Sequence, residues 1–307
     1  MENIIETNHL TKRFGKFMAI DDINLCVRKG EIYGFLGLNG AGKTTTIRML
    51  TGMIRPTSGT AFLFGKKVTS ADSNLWEKVG YLVEVPYAYP DLTVRENLEI
   101  FRRLHFIADT QIVDSIIEKL QLGQYRDRLA KNLSLGNSQR LGLAKALMHN
   151  PEILILDEPA NGLDPAGIVE IRELLYDLAL NKGVTVFISS HILGEISRFA
   201  TRIGIIHEGK LLRESNLEEL EQLRRRSLLV NMTDKDGARS FLKEKGFSVS
   251  MTEEGFLEVA GQDAINSPGA VNIMLVQAGF PPTMLKIEEE DLESYFFRVI
   301  GRNGGVQ

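Results

Sequence analysis

Gly37-Leu38-Asn39-Gly40-Ala41-Gly42-Lys43-Thr44 fits the pattern G-x-x-x-x-G-K-[ST]. The apolar run Glu31–Leu36 before it reads as a buried strand, and Thr44–Leu50 after it reads as a helix. That strand–loop–helix context gives the pattern its physical meaning. Glycines let successive backbone N–H groups turn inward around a phosphate, and the helix N-terminus adds a favourable dipole. Gly37, Asn39, Gly40 and Gly42 thus belong to a candidate nucleotide cradle. Lys43 is placed to reach β- and γ-phosphates, the Thr44 hydroxyl to ligate Mg²⁺, and Thr45 to touch the α-phosphate side. The plain alternative is a glycine-rich turn with an exposed lysine. From average residue usage, a chance match in such a chain is on the order of 1%. The loop alone does not separate ATPases from kinases or GTPases.

Farther along, Ile153-Leu154-Ile155-Leu156-Asp157-Glu158-Pro159 supplies that separation. Four apolar residues make a buried strand. Asp157 then emerges at its C-terminal end, where open α/β sheets bind ligands. Asp157 suits positioning of Mg²⁺ through water, and Glu158 suits polarising an attacking water. A solvated acidic turn is the bland reading, which the upstream phosphate loop disfavours.

Short apolar runs at Val79–Val83 and Thr185–Ser189 suit further parallel strands. Ile4–Leu10 and Asp22–Val27 read as strands near the start. Residues from about Thr93 to Leu147 are helical in pattern, and Ile203–His207 with Gly209–Leu212 reads as a terminal hairpin. A polar, charged stretch, Leu217–Arg226, reads as a linker helix. Beyond it come a strand (Leu228–Met232), a helix (Lys235–Lys245), a hairpin (Phe247–Met251, Phe256–Val259), a helix (Ala264–Ala278), a strand (Met284–Ile287) and a helix (Leu292–Ile300). That order suggests a small ferredoxin-like α/β domain.

Between the phosphate loop and Asp157 lies Leu133-Ser134-Leu135-Gly136-Asn137-Ser138-Gln139-Arg140. Here the chain resembles the ABC ATPase family, whose signature segment is written LSGGQ-x-QR. Ser134, Gly136, Gln139 and Arg140 match, Leu135 replaces a glycine, and Asn137 stands at the usual glutamine position. The resemblance implies that Ser134 and Gly136 complete the ATP site of an opposite subunit. A helix N-terminus aimed at a γ-phosphate is physically sensible. Ser134 is otherwise an ordinary helix cap. Further matches follow in family order. Asn161-Gly162-Leu163-Asp164-Pro165 resembles the D-loop, with Asp164 facing the other monomer. Ser189-Ser190-His191 resembles the switch segment, whose histidine, His191, would contact the γ-phosphate and help hold Glu158 and the water in line. Phe14-Gly15 resembles the aromatic loop that stacks on adenine; Phe17 competes for that role, and either is alternatively core. His9, His105, His149 and His207 read as structural. The resemblance covers about Ile4 to Leu212.

Most family members carry glutamine where this chain has Glu84. Glutamate there, the serine-leucine-glycine signature and the appended segment ending Leu292-Glu293-Ser294-Tyr295-Phe296-Phe297 resemble the bacitracin-resistance and lantibiotic-immunity exporters. Glu84 is a metal contact, a coupling residue or a plain solvent-facing loop acid; a carboxylate beside a triphosphate is repelled unless Mg²⁺ intervenes or a proton is taken up, which favours coupling over chemistry. The loop Glu84–Pro90 that it opens contains two prolines.

The expected architecture is therefore a P-loop α/β core with an antiparallel β layer and a helical subdomain, about 91–147, within residues 1–216. Residues 217–307 form a linker helix and an accessory domain. The resemblance implies an ATPase using ATP and Mg²⁺, paired with itself or a homologue. It would drive export through a separately encoded membrane permease, with an antimicrobial peptide or drug as cargo. It places the chain in the cytoplasm, peripheral to the membrane. Composition agrees: of 307 residues, 43% are hydrophobic and 25% charged, as in globular proteins. A net charge of −4 gives no general pull toward nucleic acid, and no nucleic-acid partner is expected. Cys26 is the only cysteine, which excludes an internal disulfide. Met1–Lys12 lacks the pattern of a signal peptide, and the apolar runs fall far short of the ~20 residues that span a bilayer. The rival reading is a permease-free ABC ATPase acting on nucleic acid or ribosomes, and a third treats the C-terminal domain as a regulatory binding module. Neither the cargo nor the choice of homodimer or heterodimer is written in a motor subunit.

Overall fold

Apolar runs buried on both faces form the centre of the first of two units. The computed structural model describes residues 2–69, 71–84, 86–252 and 254–301. Contacts divide the chain into Met1–Leu217 and Glu218–Gln307. In the first unit, β3 (Ile32–Leu36), β7 (Ile153–Asp157) and β8 (Thr185–Ser190) are buried at every position. With β6 (Val79–Leu82), β9 (Arg202–His207) and β10 (Lys210–Asn216) they make a six-stranded sheet, ordered β10-β9-β3-β8-β7-β6. All neighbours are parallel except β10 on β9. Five strand ends, those of β9, β3, β8, β7 and β6, therefore open onto one edge, where such sheets bind ligands.

An antiparallel layer packs in the same core. It consists of β1 (Asn3–Phe14), β2 (Phe17–Arg28), β4 (Ser58–Leu63) and β5 (Lys66–Lys67), ordered β2-β1-β4-β5. Ile5, Ile20, Ile23 and Val27 from this layer share one buried cluster with Tyr33, Phe35, Ile155 and Phe187 from the parallel sheet. The helical subdomain is less continuous than its pattern suggests. Its helices are Val94–Leu104, Ile112–Lys119 and Leu135–Leu147, separated by turns. Thr93 and Glu96 close a reciprocal capping box that starts the first of them. A helix absent from the sequence reading, Pro165–Lys182, follows the D-loop segment.

The second unit has strands β11 (Arg226–Asn231), β12 (Ser248–Met251), β13 (Leu257–Ala260) and β14 (Met284–Glu289) in the order β12-β13-β11-β14, all antiparallel. This interlocked pair of split β-α-β units is the ferredoxin-like topology. Leu228, Val230, Leu257 and Val259 face Ala238, Leu242, Val271 and Leu275 from the helices. Two boundaries differ from expectation. The linker helix is Leu217–Leu223, because β11 claims Arg226 for pairing with Glu289. The long helix expected over Ala264–Ala278 is two, Gln262–Asn266 and Pro268–Gln277. Pro268 cannot donate to a continuing helix and instead opens a new one at its first position.

Candidate functional site

The loop after β3 wraps toward the first turn of the helix Lys43–Leu50. Gly42 has φ 111°, and a Cβ there would lie 2.5 Å from an Ile20 methyl carbon, so only glycine fits without strain. Lys43 is buried, 5% exposed. Its Nζ donates to the carbonyls of Gly37 at 2.7 Å and Leu38 at 3.3 Å. It also pairs with Glu158 Oε1 at 3.0 Å. The other Glu158 oxygen lies 2.5 Å from His191 Nδ1. Three segments far apart in sequence thus converge on one carboxylate. Burial pushes the Glu158 carboxyl up, but the Lys43 ammonium and the hydrogen bonds from Lys43 and His191 outweigh it. The group is held below its ordinary range and is ionised at neutral pH.

Asp157 is buried at the end of β7, and its Oδ1 accepts the Ser189 hydroxyl at 2.6 Å. Thr44 lies half-buried in the first turn after the loop, and Thr45 is half-buried beside it. Among the described residues no group of three or more His, Cys, Asp or Glu could hold a metal by itself. One hydroxyl and one carboxylate suit an ion that completes its shell with phosphate and water, as Mg²⁺ does. The residues present therefore fit that ion. Glu84 is engaged elsewhere: its carboxylate pairs with the Arg48 guanidinium. Its backbone has φ 58°. Of the loop Glu84–Pro90, Val85 lies outside the described residues.

The signature and D-loop residues meet each other but not Lys43. Ser134 is exposed, and its hydroxyl caps the helix Leu135–Leu147 by accepting from Asn137 N at 3.3 Å. Gly136 is buried against the Gly162 carbonyl, which a Cβ would approach to 2.8 Å. Leu135, at the usual glycine position, packs its side chain on Gly162. Asp164 caps the helix Pro165–Lys182, accepting from Gly167 N at 3.0 Å. Ser134, Gly136, Asn137, Arg140, Gly162 and Asp164 line a cavity of about 350 Å³.

Phe14 and Phe17 face each other across the β1–β2 turn. Neither is core: they are 50% and 65% exposed. Lys12 Nζ sits 5.1 Å over the Phe14 ring. His105 stacks on both His149 and Phe101, away from the phosphate loop. Two residues escaped the sequence reading. Arg48 was passed over because nothing local ties it to Glu84, 36 residues away. Ser189 was read only as a neighbour of His191. Its place opposite Asp157 follows from the β7–β8 register.

Comparisons with known proteins fit this geometry. A family model described as ABC transporter matches residues 20–161. The bacitracin transport ATP-binding protein BcrA of Bacillus licheniformis is 42% identical over 304 residues, 98% of this chain and 98% of that protein. The lantibiotic transport ATP-binding protein SrtF of Streptococcus pyogenes is 38% identical over 223 residues, 71% of this chain and 95% of its own. Among solved structures, the dimeric post-hydrolysis ATP-binding cassette MJ0796, bound to ADP and Pi, aligns with a TM-score of 0.65 and 25% identity. That alignment covers 70% of this chain and 99% of the other.

Proposed function

Since this chain belongs to the ABC transporter ATP-binding family, with relatives that serve bacitracin and lantibiotic transport, we propose that it powers export of an antimicrobial peptide through a separate membrane permease. The reaction is ATP + H₂O → ADP + Pi. The observation that carries the site assignment is the Glu158 carboxylate, ionised and held between Lys43 and His191 at the sheet edge.

Lys43 is held by the loop's own carbonyls and by Glu158. An arriving γ-phosphate draws that ammonium away. Glu158 then loses its main counter-charge while staying partly buried, so its basicity rises as it becomes needed to polarise water. His191 keeps the carboxylate aimed through its Nδ1. Thr44 and Asp157 would hold Mg²⁺, which supplies charge neutralisation on the phosphates when bound. Gly37, Asn39, Gly40, Gly42 and Thr45 cradle the phosphates, and Phe14 offers a face to adenine. Ser134 and Gly136 act on the nucleotide of a second ATP-binding subunit, with Asp164 beside them. Glu84 is assigned to coupling. Among the described residues no helix is long and apolar enough to cross a membrane, so attachment to the inner membrane face is assigned to the permease.

Glu158→Gln in the complex with its permease should retain ATP binding and lower turnover ~10²–10⁴-fold, the usual yield of a positioned base. Turnover at the wild-type rate in that variant would remove Glu158 from the chemistry.

A further inference from the structure

Ser189 stands next to the last residue of a strand that is otherwise mostly apolar and entirely buried. A hydroxyl with no exposure must be hydrogen-bonded or it destabilises the fold. Its partners here are unusual for a core serine. The register sets Ser189 directly beside Asp157. Its O–H donates to Asp157 Oδ1 at 2.6 Å, a short charge-assisted bond. Its oxygen also accepts the backbone N–H of Glu158 at 3.0 Å. One hydroxyl therefore fixes the side chain of one carboxylate residue and the backbone of the next.

The second bond matters because of the shape of the chain there. Glu158 has φ 49°, in the left-handed region that residues other than glycine seldom occupy. Such a conformation persists only where its surroundings enforce it. This bend turns the Glu158 side chain toward Lys43 and His191 rather than onward along β7. His191 itself follows Ser189 by two residues, so the same strand end supplies the group that holds the far oxygen of Glu158.

We propose that Ser189 is a positioning residue that locks Asp157 and Glu158 into one fixed relation. This rests on the reading of Asp157 and Glu158 given above. Ser189 touches neither phosphate nor water in this role and acts through the two carboxylate residues.

The test compares wild type, Ser189→Ala, Ser189→Thr and Glu158→Gln as intact complexes with the permease. Readouts are kcat and KM for ATP, equilibrium ATP binding with and without Mg²⁺, and the thermal midpoint. Loss of a residue that orients a metal-side carboxylate typically costs 10–100-fold. Ser189→Ala should therefore lower kcat by ~10–100-fold while KM changes by less than ~3-fold, and should blunt the gain in ATP binding given by Mg²⁺. Ser189→Thr keeps the hydroxyl and should recover most of both. Wild-type kcat in Ser189→Ala overturns the proposal. So does a variant that loses complex assembly or metal-free ATP binding as severely as turnover, because that marks a purely structural role. A Ser189→Thr complex that binds ATP yet is no faster than Ser189→Ala overturns it as well. Glu158→Gln separates the two failures. If it turns over normally, the site reading itself falls; if it is inactive and Ser189→Ala is normal, only the role of Ser189 falls.

Discussion

The edge at β3, β7 and β8 and the face carrying Ser134 treat their polar groups in opposite ways. At the first, side chains spend their hydrogen bonds on residues distant in sequence: Lys43 on Glu158, Glu158 on His191, Ser189 on Asp157. At the second, the two caps stay within one turn of helix, Ser134 on Asn137 N and Asp164 on Gly167 N, and Arg140 beside them reaches farther, to Glu170 and the Leu120 carbonyl. A carboxylate with an ammonium on one side and an imidazole on the other is already aimed. An exposed serine at a helix N-terminus caps its own helix and leaves a face of its hydroxyl open to solvent. The contrast supports the proposed division, in which one chain assembles the hydrolytic half of a site and presents the other half outward. On the proposed reading, two copies, or one copy and a homologue, would complete the arrangement.

Ser134 offers the strongest way to break that contrast. As a helix cap alone it is exchangeable with aspartate, and Ser134→Ala would cost about 0.5–2 kcal/mol of stability. As part of a site for another subunit's γ-phosphate, Ser134→Asp keeps the cap but sets like charges together, which costs several kcal/mol at an interface. ATP-induced association, measured by sedimentation in a Glu158→Gln background, should therefore weaken by ~10²-fold or more in Ser134→Asp. Unchanged association with an intact helix would return Ser134 to the role of a simple cap.

The two halves also differ in how far sequence discloses them. The phosphate loop, the acidic pair after Ile153–Leu156 and the ferredoxin-like strand order are local patterns, and all were readable. The pairing of Arg48 with Glu84 and of Ser189 with Asp157 depends on register between segments 32 or more residues apart, and no window of sequence carries it. The helix Pro165–Lys182 was missed although its punctuation is present: Asp164 caps it, Pro165 starts it, and Gly183 ends it in the left-handed region. Its apolar residues obscure the face, because Val169, Tyr176 and Leu180 are exposed while Ile171, Leu175 and Leu178 are buried. β4, Ser58–Leu63, contains a glycine and alternates poorly; its pairing with β1 makes it a strand.

Phe14 sharpens the comparison from the self-assembled side. Both tip aromatics are exposed, but among the described residues only Phe14 has a cation, Lys12, over its ring. Phe14→Ala should weaken ATP binding by ~1–3 kcal/mol if base stacking on aromatics is the guide, and Phe17→Ala by less. Isothermal titration of both variants decides it, and the reverse ranking would move the adenine platform to Phe17.

The histidines repeat the contrast on a smaller scale. His191 meets a carboxylate, whereas the His149 nitrogens are buried away from solvent. Burial first, then the neighbouring His105, pushes His149 down to about 4. The folded ring stays neutral where an unfolded one, titrating near 6.5, takes up a proton. Its contribution is therefore present above pH ~6.5 and is lost as pH falls toward ~4. Thermal midpoints should decline with acidity over that window, and less steeply in His149→Phe. Parallel slopes for the two proteins would show that other groups govern acid sensitivity.

The smallest expected effect on chemistry lies at Glu84, and it asks whether the sheet edge ends at hydrolysis or continues into coupling. The Arg48–Glu84 pair is 37% and 51% exposed, so its loss should change stability by no more than ~1 kcal/mol. Its position is more telling than its strength. Arg48 belongs to the helix that starts at Lys43, and Glu84 follows β6 at the head of a loop leading to the helical subdomain. The pair therefore ties the helix proposed to answer to phosphate to a loop whose conformations two prolines limit. Glu84→Gln is nearly isosteric and removes only the charge. ATPase activity should fall modestly and export substantially more, both measured on one reconstituted complex. Arg48→Gln should reproduce that imbalance, and the double variant should be no worse than either single one, because both changes sever the same link. An essential hydrolytic role for Glu84 predicts instead that both activities fall by equal fractions in Glu84→Gln. Additive losses in the double variant would mean that Arg48 and Glu84 act separately, and the ion pair would then be incidental to transport.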